Sequence, residues 1–148
     1  DIREELIQTG YIKQKYRNKK QKMLPPEKYQ AEDGTIILVG KNNLQNEQVS
    51  FKLSRRGDLW FHVKDIPGSH VLITGNANPS DETITFAGEL AAYFSKARYS
   101  NLVQVDVLDV KKLHKPTGTA PGFVTYDREK TIRVTPDESV IKSRKIGK

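Results

Sequence analysis

The stretch DLWFHVKDIPGSHVLI, residues 58 to 73, gathers four kinds of reactive or adhesive side chain around one Pro67-Gly68 step. His62 and His70 are imidazoles, able to ligate a metal or to move a proton near neutral pH. Asp58 and Asp65 are carboxylates, Lys64 is a cation, and Trp60 offers a flat π face. A metal would need a third good ligand, but a lysine sits beside the histidines and His114 is remote in sequence. Acid-base chemistry could pair His62 with Asp58. However, the chain carries no nucleophile elbow, phosphate loop or paired-carboxylate motif. The expectation is a chain that is not an enzyme, with no cofactor and no metal. Two uses of the stretch stay open. The imidazoles can hydrogen-bond within the fold and stiffen a hairpin, or the aromatic, imidazole and lysine groups can stack on bases and meet phosphates.

Which of these is possible depends on the elements that hold the stretch. Alternation along DLWFHVK assigns Leu59, Phe61 and Val63 to one face, and Asp58, Trp60, His62 and Lys64 to the other. On the returning strand Val71 and Ile73 must join the first face, leaving His70, Leu72 and Thr74 on the second. A two-residue Pro-Gly loop would break this match and would favour a turn whose twist suits such hairpins poorly. A three-residue loop or a bulge restores it, so Trp60, His62, Lys64 and His70 are predicted on one face.

Around the hairpin, TIILV (35–39) suits a central strand, and VSFKL (49–53) alternates as a strand with Val49, Phe51 and Leu53 inward. The intervening GKNNLQNE (40–47) reads as a loop with its amides outward. One helix begins between Ser80 and Thr85 and lasts to about Tyr99, with Phe86, Leu90, Phe94 and Ala97 on one face. LVQVDVL (102–108) is a strand, and FVTY (123–126) with TIRV (131–134) reads as a hairpin. Strand runs around one principal helix indicate an α+β fold with a mainly antiparallel sheet.

The chain has 148 residues, enough for one ordinary core, with 29% charged residues and a net charge of +7. Such a surface attracts polyanions. There is no cysteine, so disulfides and thiolate metal sites are excluded. No apolar run approaches a membrane span. No signal peptide is visible, and the start at Asp1 reads as a cut from something longer. Residues 1–24 form a basic arm with six basic residues and no acidic one between Tyr11 and Lys22, closed by Pro25-Pro26. Residues 137–148 read as a basic flexible tail.

The segments DGTIILVGKNNLQNEQVSFKLSRRGDLWFHVKDIPGSHVLI, LAAYFSKARYSNLVQVDVLDVKKLHKPTGTAPGFVTY and TIRVTP resemble, in that order, the NFACT-R domain. That domain occurs in bacterial RqcH proteins, also called fibronectin-binding protein A-like proteins, and in their eukaryotic relative NEMF. The resemblance implies an NFACT-R domain over 25–136 and makes 1–24 the end of a preceding coiled-coil segment. It implies a cytoplasmic, RNA-binding part of a ribosome quality-control factor. Its expected partners are tRNA and the obstructed large ribosomal subunit, and its expected role is to support C-terminal alanine tailing of stalled chains. The domain itself is expected to be monomeric and away from membranes. The alternative class is a surface adhesion module that binds fibronectin.

Carried onto this chain, the central motif falls on the 58–70 stretch, an asparagine-rich loop on Gly40 to Gln45, a helix end on Ser95 to Arg98, and a lysine-proline-glycine segment on Lys111 to Gly122. Leu113-His114 and Gly88 depart from the family pattern. The residues expected to meet RNA are Lys41, Asn42, Asn43, Trp60, His62, Lys64, Ser69, His70, Lys96, Arg98, Lys112 and Lys115. The lysines would supply sequence-independent attraction to phosphate.

Overall fold

A computed structural model describes residues 24–127 and 129–147. Most of the arm at 1–24 therefore lies outside the described residues. Seven strands form one antiparallel sheet: β1 (Glu27–Gln30), β2 (Ile36–Val39), β3 (Leu59–Val63), β4 (Val71–Thr74), β5 (Val103–Asp109), β6 (Lys130–Val134) and β7 (Lys145–Ile146). Their order across the sheet is β6-β5-β3-β4-β2-β1-β7. The fold is α+β, as the strand and helix patterns indicate.

The main helix, α2 (Asp81–Tyr93), starts where the Ser80 hydroxyl accepts the Thr83 amide at 3.1 Å and ends at Tyr93, short of Tyr99. Its last carbonyls are diverted: Ala92 accepts from the Ser95 hydroxyl at 2.7 Å and Phe94 accepts from the Ser69 amide at 3.1 Å. α2 lies on the sheet face bearing Phe61, Val63, Val71 and Ile73, all fully or almost fully buried. Gly88 explains its own departure from the family pattern. A Cβ there would meet Ile132 at 2.8 Å and Val134 at 3.2 Å, so glycine lets the helix approach β6.

Trp60 and Leu72 lie in a second cluster on the opposite face, together with Leu38, Val49, Leu108, Val110 and Leu113. Two segments cover this face, and both differ from expectation. Residues 40–47 are not a loop but contain a short helix, α1 (Asn43–Glu47), which runs into a π-helical turn at Gln48–Lys52. VSFKL is therefore not a strand. β2 already pairs with β1 and β4, so no edge is left for it, and the turn instead buries its own Val49 and Ser50. FVTY is not a strand either. Its one bridge joins Thr125 to His114, while β6 pairs with β5. Val124 and Tyr126 instead pack across the second cluster.

The supposed flexible tail is also corrected. Residues 138–146 form α3 (Glu138–Ser143) and β7, which pairs with β1. Ile141 anchors the segment at 1% exposure, because the main core accepts its side chain while Val140 stays exposed.

Candidate nucleic-acid interface

In the hairpin, Leu59 pairs with Ile73, Trp60 with Leu72 and Phe61 with Val71. This register leaves a connection longer than three residues, with Asp65 at a left-handed φ of 64°. The parity matches the expectation, and His62 and His70 lie on one face with ring centroids 5.5 Å apart. That face is not an open platform. Trp60 is 0% exposed, stacked on His62 at 5.8 Å and edge-on to His70 at 5.0 Å. Of the two uses open to Trp60, packing in the core and stacking on a base, the structure gives it the first, because the π-helical turn and the 110–126 segment cover its ring.

The polar atoms of this floor are used inside the fold. Trp60 Nε1 donates to Ser50 Oγ at 2.8 Å, and Ser50 Oγ meets His70 Nδ1 at 2.7 Å. With the indole donating to the oxygen, the hydroxyl proton is available to a neutral His70. Burial pushes the His70 pKa down to about 3, with the nearby His62 adding to the shift. Burial also lowers His62, against the pull of backbone hydrogen bonding and the Asp106 carboxylate. His70 is 4% exposed, so contact with RNA is corrected to a positioning role. Its backbone grips the neighbouring loop: Gly40 N–H donates to the His70 carbonyl at 2.9 Å, and His70 N–H donates to Asn46 Oδ1 at 3.0 Å.

Lys64 is likewise engaged. Its Nζ lies 2.8 Å from the buried Asp106 carboxylate and 3.3 Å from Glu129. Asp106 also accepts from the Tyr126 hydroxyl at 2.6 Å. A cation paired with two carboxylates has less charge to offer a phosphate. Lys115 is tied to Glu47 at 3.2 Å and to the carbonyls of Phe123 and Ala120. It joins the 115–123 segment to α1 and is not a free cation. Asp58 closes a turn by accepting the Arg55 amide at 2.9 Å. Among the described residues no group of three or more metal-binding side chains is arranged to hold an ion.

The remaining residues form a different site. A groove of about 420 Å³ joins three segments that are distant in sequence: the Lys41-Asn42-Asn43 loop, the Pro67-Gly68-Ser69 turn and the Ser95-Lys96 end of α2, with Arg98. Each wall has a local cause. Asn42 caps α1 by accepting the Gln45 amide at 2.8 Å, and Gln45 returns its own oxygen to the Lys41 amide at 2.8 Å. So Gln45 is buried and Asn42 spends its Oδ1 on the cap, although Asn42 and Asn43 are both exposed. The turn reaches the helix end because Gly68 has no side chain. A Cβ there would meet Ser95 at 3.0 Å and Val63 at 3.1 Å. This close approach, sealed by the Gly68-Ser95 bridge, is what the Pro-Gly step provides.

Lys41, Lys96 and Arg98 line the groove; no carboxylate lines it, although Lys41 Nζ also lies 3.8 Å from Glu27 Oε2 outside the lining. Lys41 Nζ sits 4.1 Å from the Phe94 ring centroid, and the Arg98 guanidinium 4.1 Å from that of Tyr93. Arg98 Nε donates to the Tyr93 carbonyl at 3.0 Å, which holds the guanidinium in place. At the other end of α2 a second concavity is lined by five carboxylates, Glu32, Asp33, Asp81, Glu82 and Glu89, against one cation, Arg144. A polyanion is therefore drawn to one end of the helix and repelled from the other. Of the twelve residues expected from sequence, the groove collects Lys41, Asn42, Asn43, Ser69, Lys96 and Arg98. His62 and Lys112 are outside it. Lys112 is exposed at the end of a short 3-10 turn, Val110–Lys112. Sequence reasoning missed Tyr93 and the groove-lining use of Phe94, since helical spacing marks Phe94 only as core.

The family model for the NFACT protein RNA binding domain matches residues 27–125. The chain is 67% identical over 147 residues to a protein named Rqc2 homolog RqcH from Streptococcus suis, covering 99% of this chain and 27% of that protein. It is 49% identical over 150 residues to the Bacillus subtilis protein of the same name, covering 98% and 26%. A shorter likeness, 36% over 96 residues, covers 60% of the chain and 9% of the Schizosaccharomyces pombe ribosome quality control complex subunit 2. A solved structure of the C-terminal part of the fibronectin/fibrinogen-binding protein from Streptococcus suis superposes with a TM-score of 0.87 at 67% identity, covering 98% of this chain and 59% of that one. The chain thus spans 26 to 27% of the bacterial relatives' length.

Proposed function

This chain belongs to the NFACT RNA-binding domain family, and on that footing we propose that it is a non-catalytic module gripping tRNA on the obstructed large ribosomal subunit. It would do so in the cytoplasm, as part of a longer factor that supports C-terminal alanine tailing of stalled nascent chains. The observation that carries this reading is the groove of three cations without a carboxylate, built from three separate family motifs. Its chemistry suits a phosphate backbone: lysine point charges, a guanidinium held in place, and exposed amide at Asn43. The name of the Schizosaccharomyces pombe relative, ribosome quality control complex subunit 2, supports the ribosomal setting, as do the bacterial relatives named as homologs of Rqc2. Among the described residues no helix is long and apolar enough to cross a membrane.

The test is a salt series of tRNA binding by the 148-residue chain and by a Lys41→Ala, Lys96→Ala double variant. Each lost phosphate contact flattens the dependence of log affinity on log salt by about 1, so the double variant should flatten it by about 2 and bind more than tenfold more weakly at low salt. The basic arm is common to both proteins and cancels in the difference. Unchanged affinity and slope would remove the groove from RNA binding. The name of the Streptococcus suis structure favours a second reading, an adhesion module. Binding of immobilised fibronectin that the double variant retains, together with no tRNA binding by either protein, would establish that reading instead.

A further inference from the structure

Arg98 lines two concavities. One is the groove above, and the other is a smaller hollow of about 170 Å³ shared with Tyr99, Asn101, Thr135 and Glu138. We propose that this hollow is a subsite for one unpaired nucleobase, stacked on Tyr99, of an RNA strand whose phosphates lie in the groove. The inference rests on the groove binding RNA and adds which form of RNA it selects.

Tyr99 is 85% exposed, although neighbouring Tyr93 and Phe94 are wholly or partly packed. The Arg98 guanidinium lies 5.9 Å from the Tyr99 ring centroid and is held by the Tyr93 carbonyl at 3.0 Å. A cation able to meet a phosphate thus stands beside an aromatic face able to take the attached base. The hollow's walls differ from the groove's in one telling respect: Glu138 lines it, with its Oε2 held 2.7 Å from Lys142 Nζ. A carboxylate repels phosphate but accepts hydrogen bonds from base amino and imino groups, as an acidic side chain does from a cytosine amine. Asn101 can both donate to and accept from a base edge.

The loop that shapes the hollow is held in a demanding conformation. Leu102 has a left-handed φ of 52°, and its amide donates to Thr135 Oγ1 at 2.9 Å, which fixes the 99–102 turn against the strand end. A base inside a duplex is stacked on its neighbours and cannot enter, so the subsite selects single-stranded or looped RNA.

The test compares the 148-residue chain with its Tyr99→Ala and Tyr99→Trp variants, using a mixed-sequence single-stranded RNA 12-mer and a 12-base-pair RNA duplex. Loss of a stacking aromatic should weaken single-strand binding about tenfold while leaving duplex binding within about twofold and the salt slope unchanged. Tyr99→Trp should restore it. A 2-aminopurine base in the single strand should be quenched by the parent chain and by Tyr99→Trp, but not by Tyr99→Ala. If Tyr99→Ala alters neither the single-strand to duplex ratio nor the quenching while the double lysine variant still loses affinity, the subsite is overturned and the groove stands. If the double lysine variant binds both RNAs like the parent, the groove reading fails as well. Tyr99 supports no core, so its replacement leaves folding intact.

Discussion

The hairpin floor and the groove rim touch at Ser69 and are built from similar residue types, yet their polar atoms have opposite fates. On the floor, Trp60, His70, Lys64 and Asp106 engage one another or Ser50, Asn46, Tyr126, Glu129 and Thr131. On the rim, Lys96 and Asn43 face solvent around a concavity, and Arg98, held by its Nε on the Tyr93 carbonyl, lines the groove. A dense set of histidine, tryptophan and lysine is therefore a scaffold here, and a sparser set of lysine, asparagine and arginine is the proposed contact surface. What separates them is satisfaction: buried polar groups must find partners, and once paired they are unavailable to a ligand.

The sharpest way to break the comparison is Trp60→Ala. Removing a fully buried indole should cost about 4 kcal/mol of folding free energy through lost burial and the cavity left behind, and it leaves Ser50 without its donor. Lys96→Ala on the rim should move stability by less than about 0.5 kcal/mol. Urea unfolding of both variants reads the two values. If Trp60→Ala costs under about 1 kcal/mol, the floor is not structural and the contrast collapses.

A smaller effect is expected at the floor's edge. Asp106→Ala removes the acceptor shared by Lys64 and Tyr126. Breaking a buried pair costs about 3–5 kcal/mol, but Lys64 keeps 24% of its side chain exposed and can recover some solvation. About 2 kcal/mol is the expected loss after that discount. Lys64→Met added to Asp106→Ala should return part of it by removing the stranded amine, as a thermal unfolding comparison of single and double variants would show. An RNA affinity that falls with Lys64→Met while stability holds would move Lys64 back to the contact surface.

Much of the floor was legible before the structure. Alternation placed Phe61 and Val63 opposite Trp60 and His62, and the poor fit of Pro-Gly to a two-residue loop put His62 and His70 on one face. What period 2 cannot reveal is whether the second face is covered. The cover comes from segments whose local patterns mislead. VSFKL alternates over only five residues, too few to separate a strand from a helical turn, and the Asn42 cap that starts the helical run resembles a loop asparagine. The groove was legible only as three motifs. Their meeting depends on tertiary contacts at Gly68 and Ser95, which no local pattern reports.

The smallest effect is a dependence on pH that should belong to the floor alone. His70 titrates near its ordinary value of about 6.5 when unfolded and at about 3 when folded, so between those values the unfolded chain binds the extra proton. Its contribution to stability is fully present above about pH 6.5 and drains away as the pH falls toward 3. From pH 7 to pH 6 the loss is about 0.7 kcal/mol, steepening to about 1.4 kcal/mol per unit below that. His70→Asn keeps an acceptor for Ser50 and removes the titration, so its stability should fall less over the same interval by about that amount. Equal slopes in urea unfolding at the two pH values would mean that His70 is not buried as a neutral acceptor. RNA affinity measured alongside should stay level from pH 7 to pH 6, because the imidazoles lie outside the contact. An affinity that rose on protonation would instead bring His62, the half-buried member of the pair, into the interface.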